Sequence, residues 1–156
     1  MKINQQARTE QIDQLKARYK ALNVSASIEP FFNNMPNLLA KSDLVISRSG
    51  ASSIAELAAT GTASLMLPLP SAMDDHQKAN ATQMEHVGGG YCLDEATVSP
   101  AFLATRIIQL FEAPDKLRAM AKNATALASP AAANDIANLA EGLITKPKAT
   151  NSGDLI

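Results

Sequence analysis

Apolar positions along the chain follow two alternating periods. Between Gln5 and Leu22, the residues Ile12, Leu15, Tyr19 and Leu22 recur every three or four positions, which predicts an amphipathic helix. Val24, Ala26 and Ile28 then alternate with Ser25 and Ser27, a short strand stopped by Pro30. The loop Phe31-Phe32-Asn33-Asn34 leads into a helical stretch from Met35 to Lys41, with Pro36 in its first turn. Asp43-Leu44-Val45-Ile46-Ser47 reads as a buried strand because its centre is apolar and β-branched. Beyond it Ile54, Leu57 and Ala58 fall at helical spacing up to Thr60-Gly61, where the glycine can take the positive φ that closes a helix. A further apolar run, Ala63 to Leu67, precedes Pro68 and Pro70. Residues 43–67 thus read strand, helix, strand, a βαβ unit that implies a parallel sheet.

The second half is mostly helical. Met73 to Val87 carries a helix that Gly88-Gly89-Gly90 breaks, and Tyr91-Cys92-Leu93 forms a short strand. Ser99-Pro100 and Ala113-Pro114 start helices over Ala101–Phe111 and Asp115–Leu127, and Ala131–Ile144 forms a last one after Pro130. From Thr145 to Ile156 the apolar content falls and a flexible tail is expected, leaving 1–144 as the folded part. Only three or four strands emerge from this pattern, against the roughly five or six of a doubly wound nucleotide-binding domain. A first strand with a glycine-rich turn is therefore expected ahead of Met1.

Composition narrows the function. The 156 residues, 46% hydrophobic and 19% charged, suit one globular domain that needs no disulfide or structural metal. Fourteen Lys and Arg oppose fifteen Asp and Glu with no run of five like charges, so the chain lacks a nucleic-acid footprint. Cys92 stands alone and no Cys/His cluster has zinc spacing, as expected of a cytosolic chain without a bound metal. The polar start MKINQQARTEQIDQLK lacks a signal-peptide core, and no apolar run approaches the roughly 18 residues of a membrane span. Cys92 is expected to be inert packing, His86 a surface residue, and Met66, Met73, Met84 and Met120 core filler.

Two segments could carry chemistry. In Arg48-Ser49-Gly50-Ala51-Ser52-Ser53-Ile54-Ala55-Glu56, a strand end feeds through a glycine into a helix, so unpaired amides at the helix start can bind an anion such as a pyrophosphate. The alternative is a capping box, Ser53-x-x-Glu56, with Glu56 folded back onto the helix start. Arg48 could pair bidentately with a phosphate or, equally, with a nearby carboxylate. The second segment, Pro68-Leu69-Pro70-Ser71-Ala72-Met73-Asp74-Asp75-His76-Gln77-Lys78-Ala79-Asn80-Ala81, again runs from a strand's carboxyl end into a helix. Gln77 and Asn80 share a helical face, and their amides suit sugar hydroxyls. Asp74-Asp75 reads more readily as N-capping than as catalysis, and His76 more readily as a structural or solvated histidine than as a base.

The two segments in this order, with Glu29-Pro30-Phe31-Phe32-Asn33-Asn34-Met35 ahead of them, closely resemble the MurG family over about residues 24 to 142. These bacterial transferases add N-acetylglucosamine to the undecaprenyl-linked muramyl-pentapeptide precursor of peptidoglycan. The resemblance implies a GT-B architecture of two Rossmann-like domains, and this chain is similar to the C-terminal one, which holds UDP-GlcNAc. The expected fold class is accordingly α/β, a Rossmann-like parallel sheet.

By the same resemblance, the Phe32 backbone would meet the uracil, with Phe31 and Met35 shaping that pocket. Glu56 would accept from the ribose hydroxyls, and Gly50, Ala51, Ser52 and Ser53 would present the helix start to the diphosphate beside Arg48. Gln77 and Asn80 would read the GlcNAc hydroxyls with His76 next to them. The family's Gly-Gly-Ser-x-Gly-Ala turn is absent, as is the N-terminal domain with its acceptor loop and base. The resemblance thus implies a chain that binds the donor but has no catalytic residue of its own, in a protein peripheral to the cytoplasmic face of the inner membrane. The implied partners are UDP-GlcNAc and, through the missing domain, the lipid-linked acceptor, with no cofactor and a divalent cation optional. Two other readings remain. A UDP-GlcNAc 2-epimerase would be expected to carry an acidic pair after a glycine doublet, where this chain has Ala51-Ser52-Ser53, and a UDP-sugar-binding subunit would dock on a separate acceptor-binding protein.

Overall fold

The computed structural model describes residues 1–70 and 75–145. The chain forms two compact units, Met1–Lys41 and a second that opens at Ser42.

The first unit is strand β1 (Lys2–Gln6), helix α1 (Thr9–Ala21), strand β2 (Ser25–Glu29) and helix α2 (Met35–Ala40). β1 and β2 pair in parallel, Lys2 opposite Ser25 through Gln6 opposite Glu29. The helical pattern predicted from Gln5 begins only at Thr9, and the residues before it are extended. β1 is hidden from sequence because one of its two half-buried positions, Ile3 and Gln5, is polar. Gln5 is satisfied there by the Tyr19 hydroxyl, which donates to its Oε1 at 2.7 Å, so burial costs little and the apolar alternation disappears. Asn23, with φ of 53°, turns the chain from α1 into β2, a left-handed conformation that asparagine tolerates. Among the described residues five strands form where the pattern shows three or four. β1 adds a strand the pattern does not show; the further strand and glycine-rich turn expected ahead of Met1 lie outside this sequence.

The second unit holds β3 (Val45–Ser47), α3 (Ala51–Thr60), β4 (Ser64–Met66), α4 (His76–His86), β5 (Gly90–Cys92), α5 (Pro100–Phe111), α6 (Pro114–Ala124), a 3-10 turn at Thr125–Leu127 and α7 (Ala132–Thr145). Its sheet is wholly parallel in the order β3-β4-β5, as the βαβ pattern predicts. The expected burial of the first of these strands is only partly met. β3 is an edge strand and Ile46 stays 46% exposed, whereas central β4 is buried throughout. The core gathers Leu57 and Ala58 of α3, Leu65 and Met66 of β4, Ala81 and Met84 of α4, and Leu110, Leu117 and Met120 of the C-terminal helices. Gly61 takes φ of 61° as its position predicts, and Thr62 N–H closes the helix end by donating to Leu57 O at 3.0 Å. The Ser99 side chain caps α5 by accepting from Phe102 N–H. Every described side chain of α7 is exposed, including Ile136, Leu139 and Leu143. Beyond Thr145 the expected tail lies outside the described residues, as do Ser71, Met73 and Asp74.

The glycine triplet does more than end α4. Gly88 takes φ of 76°, and Gly90 sits so close to β4 that an added Cβ would lie 2.8 Å from Ser64 O and 2.9 Å from the Met66 methyl. Gly90→Ala is expected to cost about 1–3 kcal/mol through forced separation of two paired strands, read as a lower urea midpoint at unchanged slope; an unchanged midpoint would show that the strands can yield.

Candidate functional site

The edge of the sheet where β3 and β4 end carries both segments singled out by the sequence. At the first, Gly50 is the N-cap of α3, with extended backbone (φ −60°, ψ 155°) and no side chain hydrogen-bonded to the helix start. The first helical bond runs from Ile54 N–H to Gly50 O at 3.0 Å. The amides of Ala51, Ser52 and Ser53 therefore have no acceptor within the helix, and the positive end of the helix dipole coincides with them. A capping box does not form, because the N-cap is a glycine and Ser53 lies two residues past Ala51, inside the helix. Ala51 and Ser52 are exposed. Glu56 is exposed too, four residues beyond Ser52 on the outward face of α3.

The second segment is tied directly to the first. Ser49, fully buried, donates its hydroxyl to Gln77 O at 2.7 Å, and Asn80 Nδ2 donates back to Ser49 O at 3.0 Å. Gln77 in turn accepts from Leu69 N–H at its Oε1, 2.9 Å away. Gln77 and Asn80 share the inward face of α4 with buried Ala81 and Met84. Asp75, Lys78, Thr82, Gln83 and His86 line a shallow depression on the opposite face. His76 opens the helix and is exposed. Asp75 occupies the N-cap position, but its carboxylate makes no capping bond, so the expected capping role is not the one it plays.

Of the two pairings open to Arg48, the structure holds the carboxylate one. Its Nη1 and Nη2 reach Glu95 Oε2 and Oε1 at 2.6 and 3.0 Å, and Nη1 also donates to Leu67 O at 3.0 Å and Pro68 O at 3.3 Å. The guanidinium thereby fastens the segment leaving β4 to the loop after β5. Phe31, Phe32 and Met35 belong to the first unit, Phe31 exposed on the loop after β2 and the other two half-buried. His86 is exposed and Met66, Met84 and Met120 are buried, as expected. Burial pushes the Cys92 thiol up, with Glu85 adding to the shift, which leaves little reactive thiolate. Among the described residues no group of three His, Cys, Asp or Glu converges as a metal site.

Sequence reasoning missed Ser49 and Glu95. Ser49 lies inside the first motif, but a buried small polar residue carries no periodic signal. Glu95 meets Arg48 from 47 positions away, beyond the reach of any local pattern.

The Arg48 hydrogen bond and charge hold the Glu95 carboxyl below the usual carboxylate range. A lowered folded-state pKa makes the pair's contribution present above the ordinary glutamate value of about 4.3 and lost as pH falls through the lowered one. Both groups are exposed, so the effect on stability is small. Carboxyl NMR is expected to place the Glu95 midpoint below that ordinary value and to return it there in Arg48→Ala; equal midpoints in the two proteins would disprove the pairing in solution.

Residues 1–139 match the glycosyltransferase family 28 C-terminal domain. A protein of Rhodospirillum rubrum named UDP-N-acetylglucosamine–N-acetylmuramyl-(pentapeptide) pyrophosphoryl-undecaprenol N-acetylglucosamine transferase is 40% identical over 139 residues, 89% of this chain and 36% of that protein. A Caulobacter vibrioides protein of the same name is 42% identical over 143 residues, 90% of this chain and 39% of its own length. The chain thus spans well under half of these relatives. Among solved structures, Acinetobacter baumannii MurG superposes with a TM-score of 0.82 at 28% identity, covering 91% of this chain and 41% of that one. The glycosyltransferase VinC shares the fold alone, with a TM-score of 0.66 at 16% identity over 90% of this chain and 34% of its own. The fold is the Rossmann-like parallel α/β fold of these glycosyltransferases, and the chain belongs to the glycosyltransferase family 28 C-terminal domain family.

Proposed function

We propose that this chain is the donor-binding half of a transferase that moves N-acetylglucosamine from UDP-GlcNAc to undecaprenyl-pyrophosphoryl-MurNAc-pentapeptide in peptidoglycan synthesis. The observation that carries this reading is the joining of two helix starts. The uncapped start of α3 is hydrogen-bonded through Ser49 to the first turn of α4, which bears Gln77. One helix start supplies amides for a diphosphate and the other an amide side chain for a sugar, as a nucleotide-sugar requires. The names of the relatives supply the sugar and the acceptor.

In this reading the diphosphate lies against the amides of Ala51, Ser52 and Ser53, and Glu56 accepts from the ribose hydroxyls. The Phe32 backbone meets the uracil beside Phe31 and Met35. Gln77 spends its Oε1 on Leu69 N–H, so its Nε2 donates to the sugar, with His76 beside it. When the acceptor's C4 hydroxyl attacks C1 of GlcNAc, the C1–oxygen bond to the diphosphate breaks and negative charge builds on UDP. Fixed amides and the α3 dipole stabilise that charge without reorganising, the electrostatic route to rate. The base that takes the hydroxyl proton comes from the rest of the protein, together with the acceptor site and attachment to the cytoplasmic membrane face. Among the described residues no helix is long and apolar enough to cross a membrane.

Calorimetric titration of the chain with UDP, UDP-GlcNAc and UDP-GalNAc tests this. UDP is expected to supply most of the affinity, Glu56→Ala to weaken it by about 1–3 kcal/mol through lost charge-assisted hydrogen bonds, and Gln77→Ala to blunt the preference for GlcNAc over GalNAc. Failure of the parent chain to bind UDP overturns the donor reading, and a Glu56→Ala variant that binds UDP like the parent overturns the ribose assignment alone.

A further inference from the structure

We infer that Ser49 is a positioning residue for donor selection: through its two hydrogen bonds to α4 it sets the spacing between the diphosphate-binding turn and the sugar-reading amide of Gln77, and Asn80 acts with it by holding the Ser49 carbonyl. The inference rests on the donor reading above and adds to it a residue that touches no ligand.

The geometry is reciprocal. Ser49 immediately precedes Gly50, the N-cap of α3, so any shift of Ser49 moves the amides that follow. Its hydroxyl donates to the main-chain oxygen of Gln77 at 2.7 Å, and its own carbonyl accepts from Asn80 Nδ2 at 3.0 Å. Both partners lie in the first turn and a half of α4, so the two bonds fix both the distance and the rotation of that helix about its axis. Chemistry also fixes which end of each side-chain amide points where. A carbonyl must receive the NH2 end of Asn80, and the Leu69 N–H must meet the oxygen end of Gln77. The Nε2 of Gln77 is thus held in one orientation by the segment leaving β4, while the helix beneath it is held by Ser49.

Burial separates this role from direct recognition. Ser49 is 0% exposed and its hydroxyl is occupied by Gln77 O, so it cannot contact a bound sugar. Asn80 is half-buried with its NH2 group on Ser49. Losing the Ser49 hydroxyl leaves the Gly50–Ser53 backbone able to bind a diphosphate but lets α4 shift and rotate against it. The loss then falls on the sugar, because the hydrogen bonds of Gln77 depend steeply on distance and angle.

The test measures dissociation constants of UDP, UDP-GlcNAc and UDP-GalNAc for the full chain, its Ser49→Ala and Asn80→Asp variants and the double variant. Ser49→Ala is expected to bind UDP within about twofold of the parent while its preference for UDP-GlcNAc over UDP-GalNAc falls roughly three- to tenfold, the worth of one hydrogen bond. Asn80→Asp, close in shape but unable to donate, is expected to lower the preference similarly, and the double variant to fall little further, since both act through one link. Simple destabilisation would lower the binding-competent fraction equally for all three ligands and leave the ratio unchanged. If Ser49→Ala does not fold, Ser49→Cys, similar in size with a weak donor, takes its place. An unchanged ratio in the Ser49 variant overturns the inference, whether Asn80→Asp shifts the ratio, marking Asn80 as a direct reader, or not. A parent that binds no UDP overturns the donor reading and this inference with it, an outcome distinct from a parent that binds while the Ser49 ratio stays fixed.

Discussion

One buried hydroxyl joins the two helix starts on which the site depends. Ser49 lies where β3 gives way to α3, and it is both donor and acceptor toward α4. The two helices follow neighbouring parallel strands, so their N-termini emerge at the same sheet edge by topology. Topology fixes the edge but not the spacing within it. Two part-buried hydrogen bonds on a fully buried serine, where an unpaired partner is costly, supply that spacing. The buried polar group is thereby satisfied, and the amides of Ala51 to Ser53 are left without an acceptor in the helix.

Around that link the structure economises on side chains and relies on the backbone. The start of α3 has a glycine where a serine or aspartate would have capped it, so its amides remain available to an anion. Arg48, the obvious cation, is engaged elsewhere: it closes the loops after β4 and β5 onto each other through Glu95, Leu67 O and Pro68 O. The start of α3 thus offers the positive end of a helix dipole that needs no long flexible side chain to be ordered. The remaining polar investment, Gln77 and Leu69, orients a single amide.

The core explains why such short strands suffice. β3, β4 and β5 have three residues each, and β4, central in the sheet, is buried at every position, with Leu65 in one cluster with Leu110, Leu117 and Met120 of α5 and α6. Gly90 lets β5 approach Ser64 so closely that no side chain fits between them, and the hydroxyl of Ser64 packs there without a hydrogen-bond partner. Stability is thus concentrated beneath the site, while its rim, Ala51, Ser52, Glu56 and His76, stays exposed.

Periodicity by itself determined the elements that bury an apolar face. α3 with its glycine end, the parallel β3-α3-β4 unit, α4, α5 and α6 are all legible, because a 3.6-residue or unbroken apolar pattern is a direct imprint of burial; α7 shows the same period although its described side chains are exposed. The sequence also singled out the two segments that the structure joins at one sheet edge. Only the tertiary structure decided what is satisfied non-locally. β1 escaped the pattern because Gln5 finds its partner in Tyr19, 14 residues away. Arg48 was assigned to a carboxylate by Glu95, 47 residues on, and Ser49 took its role from helix residues 28 and 31 positions further along. A hydrogen bond between distant residues leaves no period in the chain, so its existence is settled only when folding brings donor and acceptor together.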